Sequence, residues 1–134
     1  MMVSTKGRYA LRVMIDLAEN ENENYMPMKE IVERQNISLK YIERILPVLA
    51  KNELIEGQHG RGGGYRLCRQ PNEYTVGEIL RLVEGDIIPV SCLECEGAHC
   101  EKSAECRTVA MWKQAVVLMN DYFDGITIAD LMKK

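Results

Sequence analysis

Residues 36–52, NISLKYIERILPVLAKN, decide the fold, because a tight connection in them leads into a helix with two chemically different sides. Ser38 suits the N-cap position of that helix. Its apolar positions recur at intervals of 3, 4 and 3, as in a buried helical seam: Leu39, Ile42, Leu46 and Leu49. The opposite side is mostly charged: Lys40, Glu43, Arg44, Pro47 and Lys51. The pattern predicts a helix over residues 39–52, which Pro47 is expected to bend by removing one backbone hydrogen bond.

The segments on either side of this helix predict further helices and a β-hairpin. In chain order, they are helices over residues 4–20 and 28–35, strands over residues 54–58 and 65–69, and a helix over residues 75–84. The tip between the strands, HGRGGG at residues 59–64, lacks the lysine of a phosphate-binding P-loop and is followed by a strand instead of a helix. This order of elements is that of a winged helix-turn-helix, so we predict a mostly α fold with a small β-hairpin wing.

Charge is distributed unevenly between the two halves of the chain. The 134 residues carry a net charge of −3, yet residues 1–72 hold 11 Lys and Arg against 9 Asp and Glu, whereas residues 73–134 hold 6 against 11. The positive balance of the first half permits nucleic-acid binding. No run approaches the about 18 uninterrupted apolar residues of a membrane span, and residues 1–10 lead into no signal-peptide core. We therefore expect a cytoplasmic protein without a membrane partner.

The predicted winged helix-turn-helix favours binding to double-stranded DNA over the alternative of a protein-interaction module. The charged side of the 39–52 helix is expected to enter a major groove about 12 Å wide, while the glycine-rich wing lets the backbone approach the duplex. Cations are expected to meet phosphates, and Glu43 to accept a hydrogen bond from a cytosine amino group. Arg12 adds positive charge in the first helix. The candidate DNA contacts are Lys6, Arg8, Ser38, Lys40, Tyr41, Glu43, Arg44, Lys51, His59 and Arg61.

The last part of the chain predicts a long helix over about residues 104–123 with apolar residues on two sides. One side is a seam with intervals of 3 and 4: Val109, Trp112, Val116, Met119 and Phe123. The other is a neighbouring stripe: Met111, Ala115, Leu118 and Tyr122. A helix that is apolar on two sides needs two partners, so we expect it to pack on its own domain and on a second copy of the chain.

Four of the five cysteines lie within fifteen residues, at Cys92, Cys95, Cys100 and Cys106. Four thiolates suit an iron–sulfur cluster, which prefers soft sulfur ligands, or a tetrahedral zinc ion. Spacing alone leaves both groups open, although only Cys92 and Cys95 form the close pair typical of structural zinc. Cys68 is expected to be a small buried residue of the second strand. No enzyme is indicated, because neither His59 nor His99 lies near a Ser or Cys arrangement typical of a nucleophile with its base.

Several stretches resemble one family of bacterial regulators. They are STKGRYAL near the N-terminus, ISLKYIERIL in the third helix, RGGGYRL in the wing, AMW after the cysteines and TIADL near the C-terminus. They are similar to the winged-helix transcription regulators of the Rrf2 (IscR/NsrR/CymR) family, and most of all to its iron–sulfur cluster regulators. The resemblance implies a homodimer that binds a near-palindromic operator, acts as a repressor, and has long C-terminal helices that cross at the dimer interface.

The resemblance also implies how the cysteines are used. Cluster-binding members have three cysteines in this loop, and Cys100 and Cys106 match the second and third, whereas the first is Cys92 or Cys95. The histidine that serves as fourth ligand in the iron–sulfur regulators is replaced here by Val109. The spare cysteine is the expected fourth ligand, and His99 or a carboxylate is the less favoured alternative. The implied cofactor is an iron–sulfur cluster, a 2Fe–2S cluster in preference to a 4Fe–4S cluster.

The sequence therefore predicts a transcription regulator that senses iron–sulfur cluster or redox status. It divides into a winged helix-turn-helix DNA-binding domain (1–84), a cysteine-rich cluster-binding loop (85–106) and a dimerisation helix with C-terminal tail (104–134). By resemblance, Glu43 discriminates between DNA sites, and His59 stands where an arginine is usual. The alternatives are a zinc-stabilised or thiol-redox winged-helix regulator without a cluster, and a small electron-carrier protein.

Overall fold

The computed structural model describes residues 3–90 and 106–133, in which a winged helix-turn-helix precedes a long helix. The first elements are α1 (Thr5–Glu19), α2 (Met28–Gln35), α3 (Leu39–Lys51), β1 (Ile55–Gln58) and β2 (Gly64–Leu67). After a 3-10 turn come α4 (Val76–Glu84), α5 (Val109–Asp124) and α6 (Ile128–Leu131). The mostly α fold with a hairpin wing is confirmed. No helix of residues 3–90 and 106–133 is long and apolar enough to cross a membrane.

α3 begins at Leu39 because the residues before it end α2 and cap the new helix. Asn36, with a left-handed φ of 53°, ends α2. The Ser38 hydroxyl then accepts a hydrogen bond from the Tyr41 amide at 3.3 Å. The helix continues through Pro47 to Lys51, so the missing hydrogen bond does not end it. Its fully buried side chains are Ile42, Ile45, Leu46 and Leu49.

Leu39 does not belong to the buried seam, and that part of the sequence-based prediction is wrong. Its exposed fraction is 49%, whereas Ile42 and Leu46 are completely buried. Leu39 is the first residue of α3, and a rotation of about 100° per residue places it at the margin of the buried side. Ile45, which the predicted seam did not include, is completely buried.

Asp16 of α1 is the one charged side chain that is buried among the described residues, with 1% exposure. Its carboxylate accepts hydrogen bonds from Arg34 Nε at 3.0 Å, from Arg34 Nη2 at 2.7 Å and from Gln35 Nε2 at 2.8 Å. The hydrogen bond to this carboxylate raises the pKa of the Arg34 guanidinium. Because both donors lie in the last turn of α2, Asp16 holds that end of α2 against α1.

The wing is joined to the helices through Met26, which precedes α2. β1 and β2 pair antiparallel, with Ile55 opposite Leu67. Beyond that pair, the backbones of Met26 and Tyr65 exchange two hydrogen bonds of 2.8 Å. Gly64 is required at this contact, because a Cβ there would lie 2.1 Å from the Met26 carbonyl oxygen and because its φ is +150°. The wing is therefore hydrogen-bonded to the segment that leads into α2.

Tyr74 fixes the base of the wing. Its side chain is fully buried, and its hydroxyl donates to the Leu54 carbonyl at 2.6 Å. The same oxygen accepts hydrogen bonds from the amides of Cys68 at 3.0 Å and Arg69 at 2.9 Å. Burial raises the pKa of the Tyr74 phenol, which keeps the hydroxyl protonated for its donor role. One side chain thus satisfies three backbone groups where the two strands meet the core.

α5 packs one apolar side on its own chain. Met119 and Phe123 join a small core around Val76, Leu80 and Ile87. The second stripe predicted from the sequence is exposed in the described chain: Met111 (53%), Leu118 (61%) and Tyr122 (66%).

Cys68 is exposed, so the expectation of a buried residue is wrong. Side chains alternate along a strand, and Leu67, the last residue of β2, already points into the core at 7% exposure. The next side chain is directed away from it. Partial burial of the sulfur, with a contribution from the carboxylate of Glu56, raises the pKa of the Cys68 thiol.

Replacing Asp16 by Asn is expected to lower the free energy of unfolding by about 3 kcal/mol, because Arg34 loses its anion in a partly buried site. Urea unfolding followed by circular dichroism measures the change. Glu56→Gln is the matched control, since it removes the carboxylate from the exposed Arg66–Glu56 pair. For this control we expect a loss below about 1 kcal/mol. Equal losses in the two variants would contradict the role of Asp16.

Candidate nucleic-acid interface and cysteine site

The first turn of α1 and the exposed side of α3 form a cleft of about 540 Å³, lined by Ser4, Thr5, Lys6, Tyr41 and Arg44. The Tyr41 ring is held edge-on against Tyr9, with 5.3 Å between the ring centroids. Three candidate DNA contacts from two separate helices, Lys6, Tyr41 and Arg44, therefore line one concave surface. Two cations on such a surface suit a backbone phosphate.

The arginines that form ion pairs are different residues from the candidate DNA contacts. Each of four arginines is paired with a carboxylate: Arg34 with Asp16, Arg66 with Glu56, Arg69 with Glu78, and Arg81 with Asp124. Within residues 3–90 and 106–133, no carboxylate lies within 4.0 Å of the other set: Lys6, Lys40, Arg44, Lys51 and Arg61. All five residues of that set are exposed. Their charges are available to phosphates.

Arg8 and Arg12 differ in role although they lie one turn apart on α1. Arg8 is exposed and donates only a local hydrogen bond to Thr5 Oγ1 at 3.2 Å. Arg12 donates to the backbone carbonyl of Gln35 at the end of α2 and lies 5.3 Å from the centroid of the Tyr9 ring. Arg12 therefore also holds the end of α2 against α1, and the positive charge that it adds for phosphate binding stays a prediction.

The remaining candidates lie on α3 and on the tip of the wing. Ser38, Lys40 and Glu43 are exposed at the start of α3, and the Glu43 carboxylate has no ion-pair partner in the part of the chain that the structure describes. His59 and Arg61 are exposed on the wing tip. The sequence-based set is thus spread over three elements: the start of α1, α3 from its N-cap Ser38 to its last residue Lys51, and the wing.

Glu84 is a site residue that the sequence does not reveal. Ser4 has the type of residue that caps a helix, but its side chain makes no cap to α1. Instead, the Glu84 carboxylate accepts hydrogen bonds from the Gly7 amide at 2.7 Å, from the Ser4 amide at 3.2 Å and from the Ser4 hydroxyl. A Cβ on residue 7 would lie 2.5 Å from this carboxylate, so Gly7 leaves the necessary room.

This cap joins the last residue of α4 to the helix turn that carries Lys6. An anion at the start of a helix satisfies free amides and interacts favourably with the helix dipole. The two partners, Gly7 and Glu84, lie 77 positions apart in the chain. No local pattern could have paired them, because a capping box is recognised only within one turn.

Cys106 is the one member of the cysteine cluster that lies within the described residues; Cys92, Cys95 and Cys100 lie outside them. Its sulfur is 3.3 Å from the Thr108 hydroxyl. That hydroxyl, followed by the amides of Thr108 and Val109, lowers the pKa of the Cys106 thiol. A thiol that readily becomes a thiolate fits the chemistry of an iron–sulfur or zinc ligand.

Cys106 lies just before α5, which begins at Val109 and not near residue 104 as expected, with Thr108 at its N-cap position. The amides that stabilise its thiolate therefore belong to the start of α5. Within residues 3–90 and 106–133, no three His, Cys, Asp or Glu side chains come together to hold a metal ion.

Matches to known proteins decide which family this chain belongs to. Residues 3–134 match Rrf2, described as "Iron-dependent Transcriptional regulator". The chain belongs to the Rrf2 family. The HTH-type transcriptional regulator IscR of Aliivibrio salmonicida is 36% identical over 132 residues, which cover 98% of this chain and 77% of that protein. IscR of Sodalis glossinidius is 35% identical over 132 residues, covering 98% and 79%.

Solved structures of Rrf2 relatives have the same fold. CymR of B. subtilis, the global cysteine regulator, has a TM-score of 0.79 at 34% identity and covers 98% of this chain and 95% of its own. IscR of T. potens has a TM-score of 0.76 at 33% identity, covering 98% and 85%. The oxidised form of Staphylococcus aureus CymR has a TM-score of 0.74 at 30% identity, covering 100% and 98%. This Rrf2 protein is accordingly a DNA-binding transcription regulator of the IscR type and not an enzyme.

In an Rrf2 variant that has Ser at its three cysteines outside the described residues, we expect iodoacetamide to alkylate Cys106 at lower pH than Cys68. The pKa of Cys106 is lowered and that of Cys68 is raised, and the thiolate is the reacting form. Mass spectrometry of digests across a pH series measures both profiles. Thr108→Val should move only the Cys106 profile to higher pH. Coinciding profiles in the parent variant would rule out this difference between the two thiols.

Proposed function

We propose that this Rrf2 protein is a cytoplasmic repressor that binds a near-palindromic operator as a homodimer, with an affinity set by a cysteine-ligated iron–sulfur cluster. The proposed DNA-binding surface is supported by the exposed cations on α1, α3 and the wing that have no carboxylate partner among the described residues. The cluster is supported by the IscR relatives and by the lowered pKa of Cys106.

In the proposed complex, α3 is the recognition helix and lies in the major groove. Lys6 and Arg44 contact one phosphate from the two walls of their cleft, and Lys40 and Lys51 contact phosphates along the groove. The Glu43 carboxylate accepts a hydrogen bond from a cytosine amino group. At the wing tip, His59 and Arg61 reach toward the neighbouring minor groove, while Arg8, Ser38 and Tyr41 complete the contact surface.

The proposed dimer uses the exposed stripe of α5. Met111, Leu118 and Tyr122 are each more than half exposed in the single chain, and they lie on one side of a 16-residue helix. A two-fold axis along this stripe would bury the same residues of both copies. It would also present two copies of α3 to two half-sites, which is the reason for a near-palindromic operator.

The cluster would be held by Cys106 together with Cys92, Cys95 and Cys100, and we favour a 2Fe–2S cluster over a 4Fe–4S cluster. When bound, it would supply a redox-sensitive group that joins the four cysteines. The chain would provide a thiolate at Cys106, where the Thr108 hydroxyl and the amides of Thr108 and Val109 stabilise the negative charge. That ligand lies directly before the helix that we assign to the dimer interface.

Hydrogen bonds of α4 offer a route from the cysteine segment to the DNA surface. Arg81 donates to Asn120 of α5 at 2.8 Å, and Asn120 donates to the Ile87 carbonyl at 3.1 Å. At the end of the same helix, Glu84 caps the turn of α1 that carries Lys6. Because α4 contacts both helices, a shift of α5 would be transmitted to the cleft at the start of α1.

A thiol-redox regulator without a cluster is the second candidate, and a specific observation favours it. CymR is among the solved structures that this chain resembles, and one CymR structure is an oxidised form. The thiol of Cys106, which is partly exposed and has a lowered pKa, would suit oxidation as well as metal binding. A zinc-stabilised regulator uses the same cysteines, whereas an electron carrier would have no use for the cationic surface.

Anaerobic reconstitution of the full chain with iron and sulfide tests the cluster. We expect visible sulfur-to-iron absorption bands, their loss in Cys106→Ser, and their retention in the control Cys68→Ser. The loaded and empty forms should bind one operator with different affinities in a gel-shift assay.

The other outcomes separate the alternatives. A colourless protein with stoichiometric zinc would support the zinc-stabilised regulator. A metal-free protein whose operator affinity changes on peroxide treatment would support thiol sensing. If loaded and empty forms bound the operator equally well, cluster sensing would be excluded, and only the DNA-binding function would remain.

The phosphate contact of Arg44 predicts a change in salt dependence. Arg44→Ala should reduce the slope of log affinity against log salt concentration by about 1 per protomer, since one fewer contact displaces counterions. Lys133→Ala is the matched control with the same charge change. The backbone of Lys133 contacts Glu19 at the other end of α1 from Lys6, so its slope should equal that of the unmodified protein. Equal slopes for both variants would remove Arg44 from the interface.

A further inference from the structure

One apolar side chain on the proposed recognition helix is not buried in the core. Leu39 is 49% exposed at the first position of α3, while the four core residues of that helix are completely buried. An exposed leucine by itself is ordinary on a protein surface. The position of this one is not arbitrary, because it stands where the helix begins, between the exposed residues Ser38 and Lys40.

The location of Leu39 relative to Glu43 gives it a function in the proposed complex. Residues four apart on a helix are neighbours on its surface, with Cβ atoms about 5–6 Å apart. Bases in one strand are stacked about 3.4 Å apart. A carboxylate and an isobutyl group at this spacing reach base edges that are one or two steps apart. The first residues of a recognition helix are also those that contact base edges.

The chemistry of Leu39 selects the base. Its side chain has no hydrogen-bond donor or acceptor, so it cannot form hydrogen bonds with the nitrogen and oxygen atoms of the base edges. The C5-methyl of thymine is the apolar group that the four bases present in the major groove. Tyr41, the other exposed apolar residue at this end of α3, is already packed against Tyr9.

We propose that Leu39 is a specificity-determining residue that contacts the C5-methyl group of a thymine one or two bases from the base read by Glu43. The inference rests on the proposed DNA-binding function and adds to it a second base-reading position of opposite chemistry. Leu39 and Glu43 together would read a short pyrimidine sequence through one methyl group and one amino group.

Substitution of single thymines by deoxyuridine tests this contact, because deoxyuridine lacks only the methyl group. The operator is first selected from random duplexes by the full chain, and each thymine is then replaced in turn. For the unmodified protein we expect one position in each half-site where the replacement weakens binding about fourfold, the value of one buried methyl group. For Leu39→Ala that replacement should have no effect, and for Leu39→Met it should again weaken binding.

Leu131→Ala is the matched control, since Leu131 is 43% exposed on α6 and lies outside the proposed interface. It should retain the response to deoxyuridine. The inference is overturned if no thymine position responds in the unmodified protein, or if Leu39→Ala responds as strongly as the unmodified protein does. If no sequence were enriched in the selection, the proposed operator binding itself would fail, and the role of Leu39 with it.

Discussion

The burial of a single carboxylate, that of Asp16, is the constraint on which the DNA-binding half depends. A charge in an apolar core must be paired and hydrogen-bonded. Asp16 meets this requirement only if Arg34 and Gln35 lie against α1. Arg12 strengthens the same contact through the Gln35 carbonyl. Since three residues separate α2 from α3, the position of α3 relative to α1 follows from these polar contacts.

Two side chains from the middle of the chain complete the DNA-binding half. Tyr74 satisfies the backbone groups at the base of the wing, and Glu84 satisfies those at the start of α1. Each of the two side chains binds more than one backbone group, so both the wing and the turn that carries Lys6 are held from the middle of the chain. Glu84 is also the last residue of a helix that contacts α5 through Arg81 and Asn120. The DNA surface and the proposed dimer helix thus share α4 as a common support.

The cations of the described residues fall into two sets, paired and unpaired with carboxylates, which composition alone cannot distinguish. Arg34, Arg66, Arg69 and Arg81 are each engaged with a carboxylate. Lys6 and Arg44 are not, and they meet in one cleft. Periodicity along α3 correctly predicted that Lys40, Arg44 and Lys51 would be exposed. It could not predict that Arg12 would be used structurally, because the acceptor of its hydrogen bond lies in another helix.

The sequence by itself determined the order of helices and hairpin, the Ser38 cap and the two apolar sides of α5, because these depend on neighbours within one or two turns or along one strand. Only the tertiary structure decided that Leu39 and Cys68 face outward, that Ile45 enters the core, and that Glu84 caps α1. Those outcomes depend on where a second element lies. Residue spacing specifies the angle of a side chain about its own helix or strand, whereas the neighbour that covers it comes from a distant part of the chain.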